Sequence, residues 1–223
     1  MRIVTRSFFL FCLLGVIAFS ASSQQKPAFW DDIQAFIHQD SLTQPPPHAI
    51  LFIGSSSFTK WSNVQDYFSG YPIINRGFGG SSLPDVIRYA DKIIFPYAPR
   101  QVVIYCGDND AASSSSITSD SILYRFEKLF TLIRGRLPRT KITYVSIKPS
   151  PSRARLMPVM SFANWKIRRF LKDKPRTSFV DVYHLMLQDN GSPKPDIFTS
   201  DSLHMNLKGY DIWQKAIRPH LLR

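Results

Sequence analysis

The side chains of this 223-residue chain with the clearest chemical use are a serine that follows a glycine at the end of an apolar run, and a histidine with an aspartate three residues before it. Ser56 lies in Gly54-Ser55-Ser56-Ser57, and the pair lies in Asp201-Ser202-Leu203-His204. A serine hydroxyl is a poor nucleophile until an imidazole takes its proton, and the imidazole works best when a carboxylate fixes its tautomer and stabilises its charge. Placed in a turn, Asp201 and His204 can face one crevice. The chemistry these groups suit is acyl transfer, which also needs hydrogen-bond donors aimed at the oxygen that becomes negative in the tetrahedral intermediate. The backbone N–H groups of Ser56 and Gly80 and the side-chain amide of Asn109 are the candidate donors.

Each segment also has an ordinary reading. Gly54-Ser55-Ser56-Ser57 suits a strand-to-helix turn, Gly79-Gly80 a simple loop, Gly107-Asp108-Asn109-Asp110 a turn or cation-binding loop, and Asp201 to His204 a helix cap with a surface histidine. Their placement speaks against four coincidences. Three follow directly on apolar, strand-like runs, and the fourth precedes the last helix.

Those runs are Ala49 to Ile53, Pro72 to Asn75, Gln101 to Tyr105, Lys141 to Ile147 and Ser178 to Val182. Near-continuous apolar segments of this length fit strands covered on both faces, as in a parallel sheet. Between them, Leu83 to Ile94, Ile122 to Ile133, Met160 to Leu171 and Leu207 to Leu221 place apolar residues three and four apart, the helical spacing. Phe29 to Gln39 predicts a further helix, and Pro45-Pro46-Pro47 links it to the first strand. Ser82 and Asp85 are spaced as a capping box around Pro84, while Pro138 and Pro175 fall just past helix ends. Alternating strands and helices imply a three-layer α/β/α domain with a five-stranded parallel sheet in flavodoxin-like order. Chemistry in such sheets collects at the carboxyl ends of the strands.

In this order, the segments resemble the conserved blocks of the SGNH hydrolases. Ser56 matches the block I serine, Gly80 the block II glycine, Asn109 the block III asparagine, and Asp201 with His204 the block V pair. The stretches Asn75 to Ser81 and Ser146 to Pro151 are similar to a bacterial GDSL-like lipase/acylhydrolase subgroup. The resemblance implies a Ser-His-Asp hydrolase that needs no metal or organic cofactor, with Ser56 N–H, Gly80 N–H and Asn109 forming the oxyanion hole. It also implies a small-molecule, carbohydrate or lipid ester as substrate, with a non-catalytic binding module or an acyltransferase as the alternatives on the same fold. One departure stands out: Ser55 occupies the place of the family's usual block I aspartate. The nucleophile register is therefore open among Ser55, Ser56 and Ser57, and the position two after Gly54 selects Ser56.

The remaining polar residues receive quieter assignments. Asp108 and Asp110 flank Asn109, but the alanines and serines after them do not supply a calcium loop, so no metal is expected. His38, His48, His184 and His220 are given surface or packing roles. Lys148, Arg153 and Arg155 follow the fourth strand, where they either meet an acidic substrate group or form a solvated basic loop; the loop is preferred. Ser55, Ser57, Lys148 and Arg153 are thus the residues expected nearest to a substrate.

Composition sets the context. Arg2 and Arg6 precede an uncharged apolar run from Phe8 to Phe19 and then Ser20 to Ser23, the layout of a secretory signal peptide. Twelve apolar residues fall short of the ~20 that cross a bilayer. Residues 1–23 are read as the signal peptide, 24–47 as an N-terminal helix and Pro-rich linker, and 48–223 as the catalytic domain, exported to the periplasm or beyond. Of the 28 basic residues, 26 remain after cleavage against 16 acidic ones, a net charge of +10. The basic residues lack the aromatic interleaving of a nucleic-acid binder, which excludes that class and leaves attraction to an anionic envelope surface as an option. Cys106 would be the sole cysteine, a buried small residue without a disulfide partner. The oligomeric state is open.

Overall fold

Segments apolar at consecutive positions must be covered on both faces, and the computed structural model, which describes residues 26–223, covers them so. Strands β1 (Ile50–Gly54), β2 (Ile73–Gly77), β3 (Gln101–Tyr105), β4 (Lys141–Val145) and β5 (Thr177–Val180) form one parallel sheet in the order β2-β1-β3-β4-β5. This is the expected flavodoxin-like order, and it reverses direction between β1 and β3. Eight helices are described: α1 (Trp30–Leu42), α2 (Ser56–Thr59), α3 (Val64–Tyr67), α4 (Leu83–Ile93), α5 (Asp108–Ala112), α6 (Ser119–Arg136), α7 (Met157–Lys172) and α8 (Leu207–Ile217). Residues 1–23, read as a signal peptide, lie outside the described residues.

Alternation along each strand divides the core into two layers. Leu51, Ile53 and Ile104 pack with Val86 of α4, Phe126 of α6 and Ile167 of α7. Ile50, Phe52, Val103 and Tyr105 face the other way, against Phe58 of α2, Val64 of α3 and Trp213 of α8. Ile33 of α1 is fully buried in the first layer, so the N-terminal helix contributes to the same core. Each buried aliphatic or aromatic side chain of this kind contributes roughly 1.5–3 kcal/mol.

Helix ends depart from the apolar spacing for local reasons. α6 starts earlier than expected because Thr118 caps it, its hydroxyl accepting from Ser121 N at 3.2 Å. α8 stops at Ile217 rather than Leu221 and continues as a 3₁₀ turn over Arg218–His220, since Pro219 has no N–H to donate back along the helix. The capping box of Ser82 and Asp85 is present at the start of α4. Helices α2, α3 and α5 are four or five residues long, too short to show a helical period, and were not expected.

The second layer supports what stands above it. Phe58 of α2 packs on Phe52, Tyr105 and Trp213. Tyr210 of α8 donates its hydroxyl to Ser57 O at 2.9 Å. The short helix after β1 is therefore held by side chains and not by its own length.

Candidate active site

The turn out of β1 requires glycine. Gly54 has φ +131°, and a Cβ there would lie 1.8 Å from Tyr105 O. Ser55 then caps α2: its N–H donates to Tyr105 O at 3.0 Å and its hydroxyl accepts from Ser56 N at 2.6 Å. Ser56, the first residue of α2, places Oγ 3.0 Å from His204 Nε2. Ser55 and Ser57 are 0% and 1% exposed and face inward. Of the three adjacent serines, the structure brings Ser56 to the histidine.

His204 Nδ1 lies 2.6 Å from Asp201 Oδ2. The other carboxylate oxygen accepts from the N–H groups of Leu203 and His204, both at 2.9 Å, and from Thr199 Oγ1 at 2.8 Å. The bond from the His204 ring, followed by those backbone N–H groups, holds the Asp201 carboxyl well below the usual carboxylate range. The loop is braced from two sides. Thr199 N donates to His204 O at 2.8 Å, and Ser152 donates through both N and Oγ to Ser202 O, at 3.1 and 2.9 Å. Both side chains reach the surface, with 47% of Asp201 and 19% of His204 exposed.

The glycine loop after β2 is pinned to the nucleophile turn, because Phe78 N and Ser81 Oγ both donate to Gly54 O, at 2.8 and 3.1 Å. A Cβ on Gly79 would sit 4.0 Å from that of Ser56. Gly80 adopts φ +84°, and its N–H meets no acceptor among the described residues. Asn109 opens the other side, donating from Nδ2 to Ser55 Oγ and to Ser81 O, each at 3.0 Å. Two of the expected oxyanion donors, Ser56 N and Asn109 Nδ2, thus converge on one oxygen, the Ser55 hydroxyl. These groups flank the point between β1 and β3 where the strand order reverses, the usual position of a site in such sheets.

The residues after β4 differ from expectation. Lys148 is 1% exposed and lies 3.5 Å from Asp108 Oδ2, so it is neither solvated nor open to substrate. Arg153 turns inward as well, its Nη1 3.2 Å from the same oxygen and its Nη2 donating to Asn109 Oδ1 at 2.8 Å. Arg155 alone of the three is exposed. The solvated basic loop is thereby corrected, and the reason is the buried carboxylate of Asp108, which needs cationic partners. Asp110, fully buried, accepts from Leu83 N at 2.9 Å and Arg125 Nη1 at 2.8 Å, tying α5 to the start of α4. Burial holds its carboxyl above the ordinary carboxylate range, an effect that Arg125 offsets only in part. Both aspartates beside Asn109 thus face cationic side chains of the chain itself.

Sequence reasoning missed two further features. Phe29 packs its ring edge-on against Phe78, and a Cβ on Gly80 would be 3.7 Å from its Cε1, so the N-terminal segment reaches the rim of the site. His184 also has an aspartate three residues before it, and its Nδ1 lies 2.8 Å from Asp181 Oδ2. The spacing equals that of Asp201 and His204, but among the described residues no serine hydrogen-bonds His184; with Trp165 and Ser161 the pair lines a separate cavity of about 170 Å³. Larger cavities, about 420 Å³ along β2 and about 540 Å³ beside α8, also exclude the triad, which opens directly at the surface. Cys106 is buried as expected, and burial raises its thiol well above the ordinary value.

Comparison with known proteins places this geometry. The sequence model of the GDSL-like Lipase/Acylhydrolase family matches residues 40–212. No curated protein matches the chain. Among solved structures, a provisionally assigned acylhydrolase from Bacteroides fragilis is 22% identical, with a TM-score of 0.72 over 86% of this chain and 96% of that one. A GDSL-like lipase from Bacteroides thetaiotaomicron is 21% identical, with a TM-score of 0.70 over 84% and 96%. An acetyl-xylooligosaccharide esterase from Geobacillus is 15% identical, with a TM-score of 0.62 over 79% and 95%. At these identities the likeness is one of fold.

Proposed function

The chain belongs to the GDSL-like lipase/acylhydrolase family, and from that premise we propose that it is an exported serine esterase that cleaves short-acyl carboxylic esters of an envelope, carbohydrate or lipid substrate. The observation that carries this reading is the continuous relay from Ser56 Oγ to His204 Nε2 at 3.0 Å and from His204 Nδ1 to Asp201 Oδ2 at 2.6 Å. His204 takes the Ser56 proton as Oγ bonds to the acyl carbon. The ester oxygen leaves with that proton as the alcohol. Water, deprotonated by the same histidine, then attacks the acyl-enzyme; the acid departs and Ser56 recovers its proton. Asp201, ionised by its hydrogen bonds, holds the imidazole in one tautomer throughout.

The exposed placement of Asp201 and His204, which line neither the cavity along β2 nor that beside α8, supports small acyl groups. The structural neighbour from Geobacillus, an acetyl-xylooligosaccharide esterase, is consistent with that class. The layout of residues 1–23 supports export, and the +10 charge of the remaining chain suits an anionic envelope.

The test is a chromogenic acetyl ester together with a fluorophosphonate label mapped to its peptide. Wild type should turn over the ester and carry the label on Ser56, and Ser56→Ala should lose at least roughly 10³-fold in kcat. Undiminished turnover by a folded Ser56→Ala protein overturns the assignment.

A further inference from the structure

Three charged side chains outside the Ser56, His204 and Asp201 set lie beside Asn109, two of them buried and the third largely covered. Asp108 is 3% exposed, Lys148 is 1% exposed, and 17% of the Arg153 side chain is exposed. One carboxylate oxygen, Asp108 Oδ2, meets both cations, at 3.5 Å from Lys148 Nζ and 3.2 Å from Arg153 Nη1. The second guanidinium nitrogen of Arg153, Nη2, donates to Asn109 Oδ1 at 2.8 Å. Burying three charges beside a reacting serine is costly unless the arrangement fixes something.

What it fixes follows from the chemistry of the partners. A guanidinium has five donors and no acceptor, so the atom of Asn109 that faces it must be the carbonyl oxygen. The amide NH₂ is then obliged to point the other way, where Ser55 Oγ and Ser81 O receive it. The two ends of the Asn109 side chain are nearly equivalent in shape, and Arg153 at Oδ1, acting with Ser81 O at Nδ2, disfavours the rotated amide that would present a carbonyl oxygen to the oxyanion. Donation to Oδ1 also draws electron density from the amide and strengthens its N–H groups as donors.

We infer that Arg153 is a positioning residue for the oxyanion hole, holding Asn109 by its Oδ1 so that Nδ2 faces the turn that carries Ser55 and Ser56, with Asp108, itself paired with Lys148, anchoring the guanidinium. The inference rests on the serine-esterase reading. It replaces contact between Arg153 and an acidic substrate group, because Nη2 is committed to Asn109 and the side chain is largely covered.

The experiment uses p-nitrophenyl acetate, a neutral ester with no charge for Arg153 to bind. Wild-type turnover comes first: without it, and without labelling of Ser56, the esterase reading fails on its own. Given turnover, Arg153→Met should lower kcat on the order of 10- to 100-fold with KM changed less than about twofold, short of the 10²–10³ lost with a whole oxyanion donor. Arg153→Lys, which keeps one donor for Oδ1, should recover most of that loss. Because Arg153 acts through Asn109, Arg153→Met made in an Asn109→Ala background should cost nothing further. Full kcat in folded Arg153→Met, a loss confined to acidic esters, or additive losses in the double variant would each overturn the inference. If Arg153→Met does not fold, Arg153→Lys decides: near-wild-type kcat together with no further loss in the Asn109→Ala background supports it, and independent, additive losses refute it.

Discussion

The Ser55 hydroxyl accepts the Asn109 side-chain amide at 3.0 Å and so occupies the direction along which that amide would meet an oxyanion. Ser56 N is turned on the same oxygen at 2.6 Å. Two donors converging on one acceptor is the geometry that stabilises a tetrahedral intermediate, here filled by the protein's own hydroxyl. In the proposed reaction the oxyanion would displace that oxygen from both donors or share them with it.

Ser55→Ala separates the two roles of this hydroxyl. As the cap of α2 its loss should destabilise the protein by about 1 kcal/mol, the usual penalty for an N-cap serine. As a competitor for Ser56 N and Asn109 Nδ2 its loss should leave kcat on a small neutral ester equal to or above that of wild type. Urea denaturation measures the first and steady-state kinetics the second. A tenfold or larger drop in kcat would mean that Ser55 assists the donors and does not occupy them.

Asp201 predicts a pH dependence with a definite sign. Its folded-state pKa is depressed, chiefly by the His204 ring and the N–H groups of His204 and Leu203. A group of this kind contributes stability above its unfolded pKa, near 3.9 for aspartate, and loses that contribution as the pH falls towards the folded value. Asp201→Asn should therefore be less stable than wild type at pH 7, and the gap should close below about pH 4. The gap should be small, since half the carboxylate side chain is in water and screened. The kinetic effect should be far larger, on the order of 10²- to 10⁴-fold in kcat, because the amide no longer stabilises the imidazolium. Urea midpoints across pH and ester turnover check the two parts.

Cys106 offers a probe of the intact site. Its thiol is buried at the end of β3, lies 3.6 Å from Ser81 O, and is raised well above the ordinary thiol range by burial. The native protein should react with a thiol-specific disulfide reagent at least roughly a hundredfold more slowly than the urea-unfolded chain, since the thiolate is the reactive form. Rapid native reaction would mean that the loop over residues 77–81 opens often enough to admit reagent.

How far the sequence reached depended on how local each signal was. The five strands and the Ser56, Asp201 and His204 set are written in contiguous runs or short spacings, and the structure joins Ser56 to His204 across 148 residues of chain. The inward turn of Lys148 and Arg153 had no such signal. A lysine in a Ser-Ile-Lys-Pro-Ser stretch reads as solvated, and only Asp108, 40 positions earlier in the sequence, explains its burial. The reach of Phe29 to Gly80 was hidden for the same reason, since a contact between an N-terminal segment and a loop after β2 leaves no periodicity to read. His184 is the converse case: Asp181 stands three residues before it in the sequence, a signal that the surface-or-packing reading passed over, and among the described residues no serine hydrogen-bonds that histidine.

Gly80 is the position where backbone conformation and chemistry are joined most directly. Its φ of +84° lies in the left-handed region, while a Cβ there would meet Phe29 Cε1 at 3.7 Å, an ordinary contact. Gly80→Ala is thus limited by the backbone and not by space. Keeping the conformation costs about 1–2 kcal/mol; relaxing it rotates the Gly80 N–H, the one proposed oxyanion donor that meets no acceptor in the resting site. Thermal unfolding should show a modest loss of stability in either case. If the N–H serves the oxyanion and the loop relaxes, kcat should fall on the order of 10²-fold with KM little changed, the signature of an interaction made only in the transition state. A variant that loses stability and keeps full kcat would remove Gly80 N–H from the oxyanion hole and leave Ser56 N and Asn109 Nδ2 as the working pair.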